Sequence, residues 1–95
     1  MDTLDKLIAE IRGRPALYLG GNSIERLSAF VRGWSVARNR ADDSKVLAAF
    51  QGWVSDKYGI TTTQHWERII RFFCMDENEA LDQFFELYDE FRASS

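Results

Sequence analysis

The fold of this chain is decided by residues 76–92, which read DENEALDQFFELYDEFR. Apolar side chains recur in this stretch every three or four residues, which is the spacing of one face of an α-helix. They are Ala80, Leu81, Phe84, Phe85, Tyr88 and Phe91. Carboxylates fill the opposite face, and Asp76 followed by Glu79 is a capping pair typical of a helix start. The stretch therefore predicts an amphipathic helix over about 76–92 whose apolar side belongs to a core.

Four more helices are predicted upstream by the same spacing of apolar side chains. They cover about residues 3–13, 23–39, 44–58 and 64–74. We expect Gly13 and Gly59 to end the first and the third of them. The expected N-caps are Asp2 for the first helix, Asn22 with Glu25 in a capping box for the second, and Asp42, Asp43 or Ser44 for the third. The side chains expected to face inward from the fourth helix are Trp66, Ile69, Ile70 and Phe73.

One segment between these helices has two interpretations. Residues 14–19 read RPALYL, and Pro15 can either open a helical turn or lead an extended segment across the core. Residues 20–22 (GGN) are expected to form a turn. No two stretches of the sequence are predicted to form strands that could pair with each other. The sequence predicts an all-α fold, a compact bundle of about five helices that forms a single domain over residues 1–95.

Composition places the chain among folded proteins of the cell interior. Hydrophobic residues make up 45% of it and aromatic residues 14%, which is enough apolar surface to offset the entropy lost on folding. Cys74 is the single cysteine, so no disulfide can form within the chain. The first five residues are acidic where a signal peptide is basic, and no apolar run approaches the roughly 20 residues of a membrane span. We expect a cytoplasmic protein.

Charge is distributed unevenly along the chain. The formal net charge is −3, but residues 76–95 contain seven acidic residues against Arg92 alone. The helical spacing puts Glu79, Asp82, Glu86 and Asp89 or Glu90 on the outer face of the last predicted helix. Like charges on one helix face repel, so stability alone would favour interleaved lysines. One hypothesis is a surface that attracts a basic partner. The alternative is a solvated face with no partner.

The residues that could support catalysis do not form a recognisable set. His65 and Cys74 are nine positions apart on one predicted helix, and at about 100° per residue they lie on opposite sides, so they cannot form a nucleophile–base pair. One histidine and one cysteine do not make a zinc site. Gly20 and Gly21 lack the Lys-Ser/Thr that follows the glycines of a phosphate-binding loop. We therefore predict no enzymatic activity, no cofactor and no metal.

Nucleic-acid binding is a further alternative. The second predicted helix and its exit carry Arg26, Arg32, Arg38 and Arg40, and a five-helix domain could hold a helix-turn-helix. Nucleic-acid-binding proteins usually have a positive surplus, however, because contacts to phosphate supply most of their non-specific affinity. The negative net charge and the acidic last helix argue against this function. We expect these arginines to be solvated or paired with nearby acids.

A pattern that runs through nearly the whole chain points to a known group of proteins. It begins with residues 11–20 (IRGRPALYLG) and continues with Ser23, Ile24, Leu27, Phe30, Gly33, Trp34, Phe50, Gln51, Trp53, Val54, Trp66, Ile69, Ile70, Phe72, Glu79, Ala80, Phe84, Phe85, Leu87 and Phe91. In these residues the chain resembles small acidic bacterial immunity proteins of toxin–immunity systems of the contact-dependent growth inhibition type. Most of the positions are apolar and are expected to form the core.

The resemblance implies a function in binding. Such a protein blocks a cognate toxin domain, often a basic nuclease, by occlusion in a tight one-to-one complex, and it has no catalytic motif. The predicted partner-binding residues are Glu79, Asp82, Glu86, Asp89 and Glu90. Tyr18 is either an exposed anchor or, as we prefer, a core contact beside Pro15. The alternative is a small regulatory or adaptor domain that binds another protein or, less favoured, nucleic acid.

Overall fold

Six helices make up residues 3–94, the part of the chain that the computed structural model describes. They are α1 (Leu4–Gly13), α2 (Pro15–Leu19), α3 (Ile24–Arg38), α4 (Ala41–Tyr58), α5 (Trp66–Phe72) and α6 (Glu77–Ser94). The all-α prediction is confirmed, since the structure is 79% helical and the described residues contain no strand. The additional helix is α2, which resolves the ambiguity at residues 14–19. Pro15 occupies its first turn, and Gly20 ends it in the left-handed region at φ 71°.

Several helix starts differ from the sequence prediction. The N-cap of α3 is Ser23, whose Oγ accepts a hydrogen bond from the backbone N–H of Arg26, so the capping box predicted from Asn22 is wrong. Helix α4 begins at Ala41, after Arg40, which places the acids predicted as its caps inside the first turn, where the helix dipole favours them. Asp2 lies outside the described residues, and the side chain of Thr3 caps α1.

Side chains from neighbouring helices cap two of the helix starts. The carboxylate of Glu77 on α6 accepts a hydrogen bond from the backbone N–H of Ile24, the first residue of α3, at 3.2 Å. The side chain of Gln51 on α4 accepts from the backbone N–H of Trp66 at 2.8 Å and donates to the carbonyl of Gln64 at 2.8 Å. These bonds satisfy backbone groups that a helix leaves unpaired at its start. They also fix where α3 and α5 begin relative to their neighbours.

Aromatic rings clustered around Phe50 form the centre of the core. Phe50 on α4 is 1% exposed. Five rings lie within 5.3–6.3 Å of its ring, measured between centroids: Trp53, Trp66, Phe84, Tyr88 and Phe91. All but Trp53 meet it edge-to-face, an arrangement in which the positive edge of one ring approaches the negative face of another. The cluster therefore joins α4 to α5 and to three successive turns of α6.

Polar contacts attach α1 to the same helix α6. The hydroxyl of Tyr88 donates to the carboxylate of Asp5 at 2.5 Å, and Arg92 donates to the other oxygen of that carboxylate at 2.9 Å. The apolar face of α1 is buried through Leu4, Leu7, Ile8 and Ile11. Burial raises the pKa of Tyr88, and the hydrogen bond to Asp5 raises it further. The phenol therefore keeps its proton well above the pH at which a free tyrosine loses it.

We expect Phe50→Ala to lower the free energy of unfolding by about 3–5 kcal/mol, because the truncation leaves a cavity bordered by five rings. Phe72→Ala is the matched control. It removes the same atoms from a side chain that is 79% exposed, and its effect should stay within about 0.5 kcal/mol. Urea denaturation followed by circular dichroism measures both values. Similar losses for the two variants would contradict the central position of Phe50.

We expect the free energy of unfolding to fall as the pH rises above about 10, since the unfolded chain then releases the Tyr88 proton and the folded chain retains it. The unfolded state binds fewer protons in that range, so the slope of stability against pH is negative. Tyr88→Phe should reduce this slope and should cost about 1 kcal/mol at pH 7 through loss of the bond to Asp5. Urea titrations between pH 7 and 11 measure both effects. An unchanged slope in the variant would be inconsistent with a protonated Tyr88.

Candidate protein-binding surface

Two carboxylates at the edges of the outer face of α6 form ion pairs with residues of neighbouring helices. Arg12 on α1 lies 2.6 Å from Asp89, and Lys57 on α4 lies 2.8 Å from Glu90. At about 100° per residue, Asp89 and Glu90 are about 100° apart around the helix, so they point to opposite edges. Two of the five predicted partner-binding carboxylates therefore have cationic partners within the molecule.

The carboxylates in the middle of this face differ from those at its edges, because they have no cationic partner in the described part of the chain. Asp82 and Glu86 are exposed and four residues apart, and both fall between the directions of Asp89 and Glu90. Neither forms a hydrogen bond or an ion pair with any other residue between 3 and 94. Their charges are therefore open to solvent. We call Asp82 and Glu86 the central carboxylates.

The fifth predicted residue, Glu79, contributes to the start of α6. Its side chain accepts a hydrogen bond from the backbone N–H of Met75 at 2.8 Å, and its own backbone N–H donates to Asp76 at 2.9 Å. The predicted capping pair therefore forms. Glu79 remains exposed, and it lies within about 60° of both central carboxylates around the helix. Its role in the fold leaves its negative charge on the same face.

A shallow depression of about 380 Å³ borders the central carboxylates on the side of α2. It is lined by Arg12, Pro15, Asn22, Leu81, Asp82, Phe85 and Glu86. The guanidinium group of Arg12 is engaged there, since it binds Asp89 and lies over the ring of Phe85 at 5.5 Å. Pro15 thus borders the central carboxylates. Tyr18, on the same helix, is half-buried against Phe30 with 5.8 Å between the ring centroids. This position agrees with the interpretation of Tyr18 as a core contact.

The turn between α5 and α6 exposes three apolar side chains, of which Phe72 and Phe73 were predicted to belong to the core. Phe72 is 79% exposed, Phe73 50% and Met75 89%. The inward orientation predicted for Phe73 is wrong because α5 ends at Phe72, before the helical spacing can turn Phe73 towards the core. Phe72 was also expected to help form the core, and it lies on the surface. We call Phe72, Phe73 and Met75 the apolar turn.

The arginines of α3 are largely occupied by contacts within the molecule. Arg32 donates to both carboxylate oxygens of the buried Glu67, at 3.1 and 3.0 Å. Arg38 lies 3.5 Å from the buried Asp43, with its guanidinium group 4.4 Å from the centre of the Trp34 ring. Arg26 donates to the backbone carbonyl of Leu19. Arg32 and Arg38 are therefore paired with acids, as expected, whereas Arg26 binds a backbone carbonyl and Arg40, beyond the helix, is exposed.

His65 and Cys74 are not placed to form a nucleophile–base pair. His65 is exposed at the start of α5, and Cys74 is half-buried in the turn after it. Burial raises the pKa of the Cys74 thiol, and the nearby charge of Glu79 raises it further. A thiol of this kind is a poor nucleophile at neutral pH because only the thiolate attacks. Between residues 3 and 94, no three His, Cys, Asp or Glu side chains are placed to hold a metal ion.

Within the described part of the chain, no helix has the length and apolar character needed to cross a membrane. Comparison of the sequence with protein-family models and with curated proteins, and of the structure with solved structures, finds no match. The case for a function therefore depends on the surface itself.

We expect Cys74 to react slowly with iodoacetamide at pH 7.5, compared with a cysteine in a short unstructured peptide. The rate should rise at a higher pH than it does for the peptide cysteine, because burial raises the pKa of the Cys74 thiol. Mass spectrometry of the alkylated protein measures the rate, and Cys74 is the only cysteine that can contribute. A midpoint at or below that of the peptide cysteine would contradict the raised pKa of the Cys74 thiol.

Proposed function

We propose that this protein is a non-catalytic inhibitor, an immunity protein that binds a cognate toxin domain with a basic surface and occludes it. The observation that supports this most directly is the pair of central carboxylates, Asp82 and Glu86. They lie exposed on one helix face and have no partner among residues 3–94, whereas Asp89 and Glu90 at its edges are neutralised. A nuclease domain is the preferred target, because an enzyme that binds nucleic acid usually has a cationic groove.

The energetics of α6 support an external role for these carboxylates. Like charges four residues apart on a helix destabilise it by a few tenths of a kcal/mol, and Asp82 and Glu86 have this spacing. Burial of Phe84, Phe85, Tyr88 and Phe91 holds the helix in place despite that repulsion. An exposed pair of negative charges accelerates encounter with a basic protein and favours a partner whose charges match.

The contacts that hold α6 against the core also support binding by surface complementarity. Helix α6 packs against Phe50 through Phe84 and Tyr88. In its second half, Tyr88 also binds Asp5, and Asp89 binds Arg12. A surface held in its binding conformation loses little conformational entropy when a partner docks. We infer that the acidic face of α6 binds as a preformed element.

A regulatory or adaptor domain would use the same surface, and the identity of the partner separates the two functions. We expect the adjacent upstream gene to encode a large secreted toxin. Its isolated toxic domain should form a one-to-one complex with this protein, and its activity should be titrated to zero at equimolar inhibitor. Isothermal titration calorimetry and an activity assay measure these properties. Absence of binding to that domain would overturn the immunity function. Salt-sensitive retention on double-stranded DNA instead would favour nucleic-acid binding.

We expect the double variant Asp82→Lys/Glu86→Lys to associate with the toxic domain at least about 10-fold more slowly, because it reverses the charge that steers the encounter. Its free energy of unfolding should change by no more than about 0.5 kcal/mol per site. Stopped-flow measurements at several salt concentrations give the association rate, and the difference from wild type should shrink as salt rises.

Glu10→Lys/Asp56→Lys is the matched control for that variant. It makes the same change in net charge at two exposed positions on α1 and α4 whose carboxylates form no ion pair with the described residues of α6. Asp56 lies about 200° around α4 from the buried Val54. The control should slow association much less. Equal slowing by both double variants would mean that net charge alone governs association, and it would remove α6 as the docking face.

A further inference from the structure

Exposed large apolar side chains are concentrated at one place on the molecule. Phe72, Phe73 and Met75 fall within four residues, whereas Leu17 and Val36, exposed to 69% and 79%, are single residues on α2 and α3. Scattered exposed apolar residues are common on protein surfaces, but a contiguous group often marks an interaction site. The apolar turn therefore differs from the other exposed apolar residues.

The apolar turn is held in a defined conformation. The backbone N–H of Phe73 donates to the carbonyl of Ile70, and the guanidinium group of Arg71 donates to the carbonyl of Cys74. The ring of Phe73 stacks on Tyr58 with centroids 4.7 Å apart, and the ring of Phe72 meets that of Phe73 edge-to-face at 5.1 Å. An aromatic group ordered before binding is well suited to act as an anchor, since docking it costs little further entropy.

The charge next to the apolar turn identifies the partner that would cover it. Arg68 and Arg71 border Phe72 on the side of α5, and Arg71 is paired with Glu77 at 3.3 Å. Residues 72–91 contain seven carboxylates and neither lysine nor arginine. Glu79 binds the backbone of Met75 directly and shares its helix face with the central carboxylates, which makes the acidic surface continuous with the apolar turn. Two copies of such a surface would repel each other. A cationic protein is therefore favoured over a second copy of this chain.

We propose that the apolar turn is the anchor of the interface, inserting Phe72 and Met75 into an apolar pocket that basic residues border on the partner. This inference rests on the proposed function and adds the source of its affinity. The central carboxylates accelerate the encounter, and the apolar turn slows dissociation. The partner is a basic protein domain with an apolar pocket beside its cationic surface.

The two features fit within one interface of ordinary size. Met75 and Glu86 are 11 positions apart, which corresponds to about 16 Å at the rise of a helix. A typical interface covers about 800 Å² on each partner, which is a patch about 30 Å across. A single docked domain can therefore contact both the apolar turn and the central carboxylates.

The test measures dissociation of the complex between this protein and the toxic domain encoded by the adjacent gene. We expect Phe72→Ala and Met75→Ala each to raise the dissociation rate at least about 10-fold while changing the association rate less than 3-fold. The increase should persist at high salt, since it reflects lost apolar contact. Leu17→Ala and Val36→Ala are the matched controls, being equally exposed apolar truncations elsewhere, and they should dissociate like the wild type.

A second readout needs no variant. The thioether of Met75 is open to peroxide because the residue is 89% exposed. We expect a saturating amount of the toxic domain to slow its oxidation at least about 10-fold relative to added free methionine. Peptide mass spectrometry measures the rate at this residue directly.

The outcomes separate this inference from the proposed function. If the toxic domain binds and is inhibited, but Phe72→Ala and Met75→Ala dissociate like the wild type and Met75 stays reactive, the anchor is wrong and the immunity function stands. If the toxic domain does not bind, both fall. Dimerisation of the free protein, seen by sedimentation and abolished by Phe72→Ala, would assign the apolar turn to self-association and overturn the inference.

Discussion

The packing of five aromatic rings around Phe50 is the constraint on which the rest of the structure depends. Phe84, Tyr88 and Phe91 contact Phe50 from three successive turns of α6, so the rotation of that helix about its own axis is set by the core. Once that rotation is fixed, the opposite side of α6 must carry Asp82 and Glu86 into solvent, because residues on one helix face have fixed angular positions. The core thereby determines which charges the protein presents to solvent.

The acidic surface of α6 consists of the carboxylates that have no cationic partner within the described residues. Asp5 holds Tyr88 and Arg92, Asp89 holds Arg12, Glu90 holds Lys57, and Glu77 caps α3. Exposed pairs of this kind contribute little stability singly, but they neutralise their own carboxylates. Asp82 and Glu86 are left without a cationic partner among residues 3–94, and Glu79 keeps its negative charge beside them. Because some carboxylates of α6 are paired and others are not, the proposed docking surface covers less of the helix than its acidic sequence suggests.

The apolar turn extends this surface with a different physical contribution. Charge acts over about 8 Å at physiological salt and influences how often two proteins meet, whereas a buried aromatic side chain influences how long they stay together. The two lie side by side because Glu79 binds the backbone of Met75 at the start of α6. The proposed interface therefore predicts that affinity and association rate depend on different residues.

The sequence by itself determined five of the six helices, the amphipathic character of α6 and the exposure of its carboxylates, because these follow from the period of a helix and from interactions within a few residues. Only the tertiary structure decided which carboxylates are paired, since Arg12 and Lys57 reach Asp89 and Glu90 across 77 and 33 positions of the chain. It also decided where α5 starts, through Gln51 on another helix, and that Phe72 and Phe73 lie at the surface after α5 ends. A hydrophobic pattern shows that a side chain can be buried, but only the position of neighbouring helices determines whether anything covers it.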